Sequence, residues 1–480
     1  MNKATTVMAI AMFVALASQS ASAQPQKNPT LVNIADVAGS TLLGPYFEVD
    51  LSNPTGMNTI FTVNNMGANI SGVNPFPPPA FFTQTNGPTA VLAHLTIWSD
   101  LGVPVFNFNI YLTGFDVERI DMRAVLNGSL PQTASAGQDP QDRISPKGRD
   151  SQDINYASCS GGGVPLMVDN VNSYSQLPPG PISAATVANM QAALTGKPSA
   201  SQGGKCGGAD HSDNIARGYI TIDTVNNCTA RFPSDSGYLG AGGSGDTTDQ
   251  TQLTGEVFYV DQLHGIARGD NLVHIHASPT DPAVTTTGNY TFYGRYDGFN
   301  AADDRQPLPT TFGARYVNGN FTGAAIPTPS SPAWGAPPAN PPAGSTSLVV
   351  WRDSKVAQHY FTCGSLPSTY PLSQESVVAF DEQEHPQSTG AMGALTNFGS
   401  PFPIATQVVK IGGSALPVSF TAGWMYLNLN HTAAPGPASD TAEAQAWVEV
   451  IEQNGTQLFN IIHRAMAIDT GLAANHINPI

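Results

Sequence analysis

Charge is scarce in this chain. Asp, Glu, Lys and Arg make up 11% of its 480 residues, against about a quarter in ordinary globular domains. Hydration of the surface therefore falls to Asn, Ser, Thr and Gly. Basic charge is scarcest, with 19 Lys and Arg against 35 Asp and Glu and a formal net charge of −16. That field repels phosphate backbones and anionic lipid headgroups, which argues against nucleic-acid and peripheral membrane binding, and it attracts cations. Long apolar runs are missing as well. No segment reaches the roughly 20 apolar residues that a spanning helix needs, so no transmembrane segment is expected. Catalytic signatures are equally sparse: there is no G-x-S-x-G, no P-loop, no G-x-G-x-x-G after a strand and no C-x-x-C.

The first two dozen residues carry the clearest signal. Lys3 gives a short positive region, Val7–Ala17 an apolar stretch, and Ala21-Ser22-Ala23 the small-residue pattern that a signal peptidase admits. Residues 1–23 are therefore read as a signal peptide, with the mature chain starting at Gln24 in the periplasm, at the cell surface or outside the cell. Four cysteines follow, Cys159, Cys206, Cys228 and Cys363. An even count in an oxidising compartment predicts two disulfides. Cys159 and Cys206 lie in Gly-rich loops, whereas Cys228 and Cys363 each end a strand-like run. Pairing like with like predicts Cys159–Cys206 and Cys228–Cys363.

Abundant Gly (47) and Pro (39), together with short alternating runs, predict a mainly β protein. Its antiparallel β-sandwich-type domains would carry long loops and one short helix. Residues 24–130 read as an N-terminal sandwich domain. Within it, Asn58–Asn64 alternates, and Ala90–Trp98 pairs with Val103–Leu112 across the turn Ser99–Gly102. Residues 131–215 read as a loop-rich segment containing a helix over Ile182–Thr195, ended by Gly196. Residues 216–480 read as a C-terminal β-rich domain with a Pro-rich loop at 327–342. Strands are expected at Gly218–Val225, Glu256–Asp261, Leu272–Ala277, Asn289–Tyr296, Val377–Phe380, Thr406–Ile411 and Leu416–Asn430. Asn318-Gly319 and Asn454-Gly455 read as hairpin turns, the latter within Ala446–Ala467.

The densest candidate chemistry lies in Glu256–His276. His274 and His276 alternate on a strand, so both rings project from one face and can converge on a metal such as zinc. His264, Glu256 and Asp261 are near enough in sequence to complete the set. The plainer reading is the outer face of a half-exposed strand. Arg268-Gly269-Asp270 matches an adhesion tripeptide, although Gly-Asp-Asn is first a turn signal. Calcium has candidate carboxylates in Asp297, Asp303 and Asp304 and in Asp381–His385, with solvated loop acids as the default. Trp98, Trp351 and Trp424 fall in strands, where aromatics pack more often than they bind sugars.

Long strings spread over the mature chain carry a resemblance. They include GPYFEVD, LTIWSDLGVPVFNFNIYLTGFDV, FYVDQLHGIARGDNLVHIH and GWMYLNLN. In these the chain resembles a family of exported proteins of unknown function from Gram-negative bacteria. The resemblance implies export and brings no activity, ligand or catalytic residue with it. In that family the position of His276 often holds an acidic residue, which counts against the paired-histidine idea. The expected function is a non-catalytic envelope or extracellular β protein, structural or ligand-binding, with a glycan or surface partner and no required cofactor. The alternative is a secreted metal-dependent hydrolase using Glu256–His276.

Overall fold

Alternation decides which core each side chain joins. The computed structural model describes residues 38–66, 91–112, 116–131, 182–226, 229–318, 344–354, 359–367, 370–387, 401–430, 445–454 and 460–468. Its strands form four antiparallel sheets, none closed on itself. The first runs β4 (Pro104–Leu112), β3 (Val91–Ser99), β6 (Ile215–Val225), β1 (Thr41–Asp50), β9 (Val273–Ile275). The second runs β5 (Val117–Asp121), β2 (Met57–Asn65), β7 (Leu253–Asp261), β8 (Ile266–Asn271). The third runs β14 (Thr406–Lys410), β11 (Gly344–Arg352), β16 (Ala446–Asn454), β17 (Asn460–Arg464). The fourth runs β13 (Pro386–Gln387), β12 (Ser376–Phe380), β15 (Ala422–Asn428), β10 (Thr311–Val317), β18 (Met466–Ala467).

On β3, Val91, Ala93, Leu95 and Ile97 enter a large core shared by the first two sheets. Trp98, on the opposite side, joins an aromatic cluster with Tyr219, Phe292, Trp351 and Trp447. The central strands of the third sheet are buried on both faces. Val349 and Ile451 reach the first core, while Leu348, Val350, Val448 and Val450 meet the fourth sheet in a second core. Near-continuous apolar runs in β11 and β16 are what two buried faces demand.

Strand pairing crosses the expected domain limits. β1 and β3, from residues 24–130, pair with β6 from beyond 215, and β2 pairs with β7. The strand-rich blocks expected to be separate thus share sheets, and Val32–Ile480 forms one compact unit. The turn at Ser99–Gly102 forms as expected, with Gly102 at φ 69°. The expected helix appears as Ala184–Leu194, capped by Ser183, whose side chain accepts from Thr186 N at 3.1 Å. It ends where predicted, since Gly196 takes φ 69° and a Cβ there would lie 2.3 Å from Ala209. Shorter helical turns at Met122–Leu126, Pro282–Thr285 and Gly294–Asp297 add to the single helix expected.

Several local expectations need correction. Asn289–Tyr296 is a loop leading into a helical turn, because Phe292 and Tyr293 are drawn sideways into the aromatic cluster. Only Ala422–Asn428 of Leu416–Asn430 is strand. β10 pairs with β15 and β18, and the expected turn at Asn318-Gly319 runs past Asn318 into residues outside the described ones. Residues 1–23, the Pro-rich loop 327–342 and the turn at Gly455 lie outside the described residues.

The disulfide pairing is also corrected. Cys206 bonds to Cys363, with Cα atoms 5.0 Å apart; Cys159 and Cys228 lie outside the described residues. Backbone pairing explains the partner: Cys206 N donates to Phe361 O at 2.9 Å and Phe361 N returns to Cys206 O at 3.0 Å. Likeness of neighbouring residues carried no such tertiary information. Non-reducing peptide mapping is expected to recover a Cys206–Cys363 peptide and none joining Cys159 to Cys206. Closing so long a loop is worth on the order of 4–5 kcal/mol in the chain-entropy model. A Cys206→Ala/Cys363→Ala pair should unfold at markedly lower denaturant.

A buried charge network fastens the irregular segments to the first sheet. Asp223, near the C-terminal end of β6, is fully buried and accepts from Thr41 Oγ1 at 2.5 Å, Tyr238 Oη at 2.6 Å and Tyr293 Oη at 2.9 Å. Arg305 Nε lies 3.7 Å from it, and the same guanidinium reaches Asp303 Oδ1 at 3.4 Å and Thr248 O at 3.2 Å. Removing the cation leaves two buried carboxylates without their counter-charge. Arg305→Ala should cost about 3–5 kcal/mol, read as a fall in the denaturant midpoint at unchanged slope.

Candidate functional site

The structure distributes the Glu256–His276 residues rather than gathering them. Glu256 is exposed on the outer face of the second sheet, in register with Thr62 and Asn271. Asp261 caps the turn after β7: its Oδ1 accepts from His264 N at 3.1 Å, and Oδ2 lies 2.7 Å from His264 Nδ1. His274 is buried on β9, its Nε2 accepting from Gly255 N at 3.3 Å. His276 Nδ1 lies 3.2 Å from Ser278 Oγ, and partial burial lowers its pKa. Among the described residues, no group of three or more His, Cys, Asp or Glu side chains is arranged to hold a metal ion. Arg268-Gly269-Asp270 is not a turn but the body of β8; the turn comes earlier, at Gly265 with φ 65°.

The loop acids are committed to backbone amides. Asp297 accepts from the N–H groups of Phe299, Ala302 and Asp303 at 2.7, 2.8 and 3.0 Å. Asp303 accepts from Tyr293 N and Asp304 from Gly242 N, each at 2.6 Å. Burial pushes the Asp303 carboxyl up to about 6, against the pull of Arg305. Asp381 accepts from Gln383 N at 2.9 Å and His385 N at 2.8 Å, and its other oxygen lies 2.9 Å from the exposed His385 ring. These contacts make the carboxylates loop caps.

The tryptophans, expected to serve core or edge packing, divide between core and surface. Trp98 and Trp351 are buried in the aromatic cluster, Trp98 stacked on Tyr219 at 5.6 Å. Trp447 is buried as well, so among the described tryptophans Trp424 alone is half-exposed. It stands on the outer face of the fourth sheet. Alternation turns Phe312, Ala314, Val377, Ala379, Met425 and Leu427 inward to the second core. The same alternation places their neighbours outward in cross-strand rows: Phe380–Trp424–Arg315, then Val378–Tyr426–Gly313, then Ser376–Asn428–Thr311.

That face combines apolar rings with a polar rim. Phe380 and Trp424 stack with centroids 4.1 Å apart and planes at 11°. Tyr316 Oη, from the inner side, donates to Phe380 O at 2.9 Å and pins the strand end that carries the pair. Tyr426 is half-exposed one row further on. Asn428 Nδ2 donates to Glu375 Oε2 at 2.8 Å, which fixes both groups at the border. Met466 and Ile468 extend the apolar surface at 69% and 50% exposure, Met466 lying over Gly313. Such a surface suits a ligand with flat apolar faces and hydroxyl edges, since rings stack on the former and amides, carboxylate and guanidinium meet the latter.

The sequence reading passed over Phe380, Tyr426 and Arg315. A signal for three of the face's residues was present in Ala422–Asn428, where Trp424, Tyr426 and Asn428 alternate with Gly423, Met425 and Leu427. No family model matches the chain, and neither a curated protein nor a solved structure matches it.

The histidines offer a direct check on their structural role. His274→Ala should cost about 2–4 kcal/mol, through a core cavity and a lost acceptor. His264→Ala, removing a surface pair whose imidazole is 63% exposed, should change stability by less than about 1 kcal/mol. Chemical denaturation with fluorescence detection separates the two.

Proposed function

We propose that this is an exported, non-catalytic β protein that binds glycan on the outer face of its fourth sheet. One observation carries the reading: Trp424 and Tyr426 stand half-exposed together where every other described tryptophan is buried. A partly exposed aromatic outside the core, set beside a second ring and a polar border, is the arrangement that a pyranose recruits. The sugar's C–H face stacks on the rings, and its hydroxyls exchange hydrogen bonds with Asn428, Glu375, Thr311 and Arg315. The small number of surface charges fits a neutral ligand. Export is supported by the Ala21-Ser22-Ala23 pattern and by a disulfide, which reducing compartments disfavour.

Binding to insoluble peptidoglycan, cellulose, chitin and xylan tests this reading by co-sedimentation, with calorimetry on soluble fragments of whichever is retained. Retention on at least one matrix is expected. Trp424→Ala and Tyr426→Ala should each weaken binding by about tenfold, the equivalent of about 1.4 kcal/mol. Failure of the wild-type protein to bind all four, or equal binding by both variants, would sink the glycan reading.

A further inference from the structure

On β16 one carboxyl occupies a position that the register reserves for an apolar side chain. Trp447, Glu449 and Ile451 alternate onto the face that meets the first and second sheets, while Ala446, Val448 and Val450 point into the second core. Glu449 is fully buried. Its Oε1 accepts a 3.3 Å hydrogen bond from Trp447 Nε1, and its Oε2 has no hydrogen-bond partner.

The charged groups around it come from two neighbouring strands. Arg464 stands opposite Glu449 on β17 and lies 5.9 Å from the Trp447 ring. Arg268 and Asp270 project from alternate positions of β8, and Arg268 lies 5.1 Å over the ring of Tyr259 on β7. β8 and β17 are each the last strand of a different sheet, and they pack side by side. Their joint is therefore made by side chains rather than by a strand ladder, and Glu449 lies beneath it.

Burial is the largest influence on this carboxyl, and the negative charge of Asp270 adds to it. The Trp447 N–H, Arg464 and Arg268 pull the other way without prevailing, so the pKa rises from 4.5 to about 8. At neutral pH the group keeps its proton. We propose that the β8–β17 joint is a proton-operated latch, closed while Glu449 is protonated and loosened when the proton leaves. Deprotonation sets a second carboxylate near Asp270 at a fully buried position, and parting the two edge strands lets water reach it.

Linkage gives the sign. An opened joint returns Glu449 to its ordinary value, so the closed state holds the extra proton between pH 4.5 and about 8. The opening equilibrium should rise by up to about tenfold per pH unit across that window and level off above it. Amide hydrogen exchange on the full chain, expressed as protection factors at pH 5.5, 7.0 and 8.5, reads this directly. Protection of Ile266–Asn271 and Asn460–Arg464 is expected to fall with rising pH, while the central strands β3 and β6 stay level. Glu449→Gln should abolish the pH dependence, and Asp270→Asn should move its plateau to lower pH. Constant protection of β8 and β17 in the wild-type protein, or an equal decline in Glu449→Gln, would overturn the latch. Should Glu449→Gln fail to fold, an unchanged plateau in Asp270→Asn would overturn it as well.

Discussion

A buried carboxylate on the central strand of a sheet needs a counter-charge from outside the sheet. Asp223 lies on the central strand of the first sheet, flanked by β3 and β1, and is fully buried. Thr41, its ladder neighbour on β1, donates a hydrogen bond to it but brings no charge. The answer comes from Arg305, which lies beyond β9 in the chain, and from the hydroxyls of Thr41, Tyr238 and Tyr293. Each of these contacts places a segment of the chain. Thr41 begins β1, Tyr238 and Thr248 belong to the irregular stretch after β6, and Tyr293, Asp303 and Arg305 belong to the stretch before β10. Desolvated charge is tolerated only when every partner is present. The network therefore orders two long irregular segments that have little regular secondary structure of their own.

The third sheet then unites the architecture. Its two central strands are apolar on both sides because one side completes the first core and the aromatic cluster, and the other side completes the second core. Arg352, at the end of β11, is fully buried. Its guanidinium donates to the backbone carbonyls of Leu372, Ser373, Phe402 and Leu429. Burial lowers its pKa to about 9. A residue that holds four carbonyls from three loops acts as a loop clamp, in the same way that Arg305 serves the first sheet. Both arginines substitute for backbone ladder bonds where the chain leaves regular structure.

Function and packing part company at the outer faces. Wherever a sheet meets another, alternating residues find partners and the sequence pattern is explained by burial alone. The outer face of the fourth sheet retains Trp424, Tyr426 and Phe380, which that core does not require. The candidate site was only partly legible in the sequence. Trp424 drew attention as an aromatic in a strand, but Phe380 lies 44 residues away in the chain. Only the register of β12 on β15 brings the two rings together. The histidine pair misled for the converse reason. Alternation expected His274 and His276 on one face of a strand, but β9 ends at Ile275, and the two rings meet the Gly255 amide and Ser278 separately.

Local pattern by itself determined the β class, most strand positions, the Ser99–Gly102 turn and the Ser183-to-Gly196 helix with both its ends. Those features follow from side-chain period, capping and glycine conformation, all set within a few residues. Tertiary structure alone decided the rest: that strands from either side of the 131–215 segment share sheets, that Cys206 meets Cys363, and which tryptophan stays at the surface. It also placed Glu449 beneath a joint of two sheet edges. Each of those outcomes depends on which distant strand lies alongside, and alternation gives the face of a residue without naming the neighbour that face will meet.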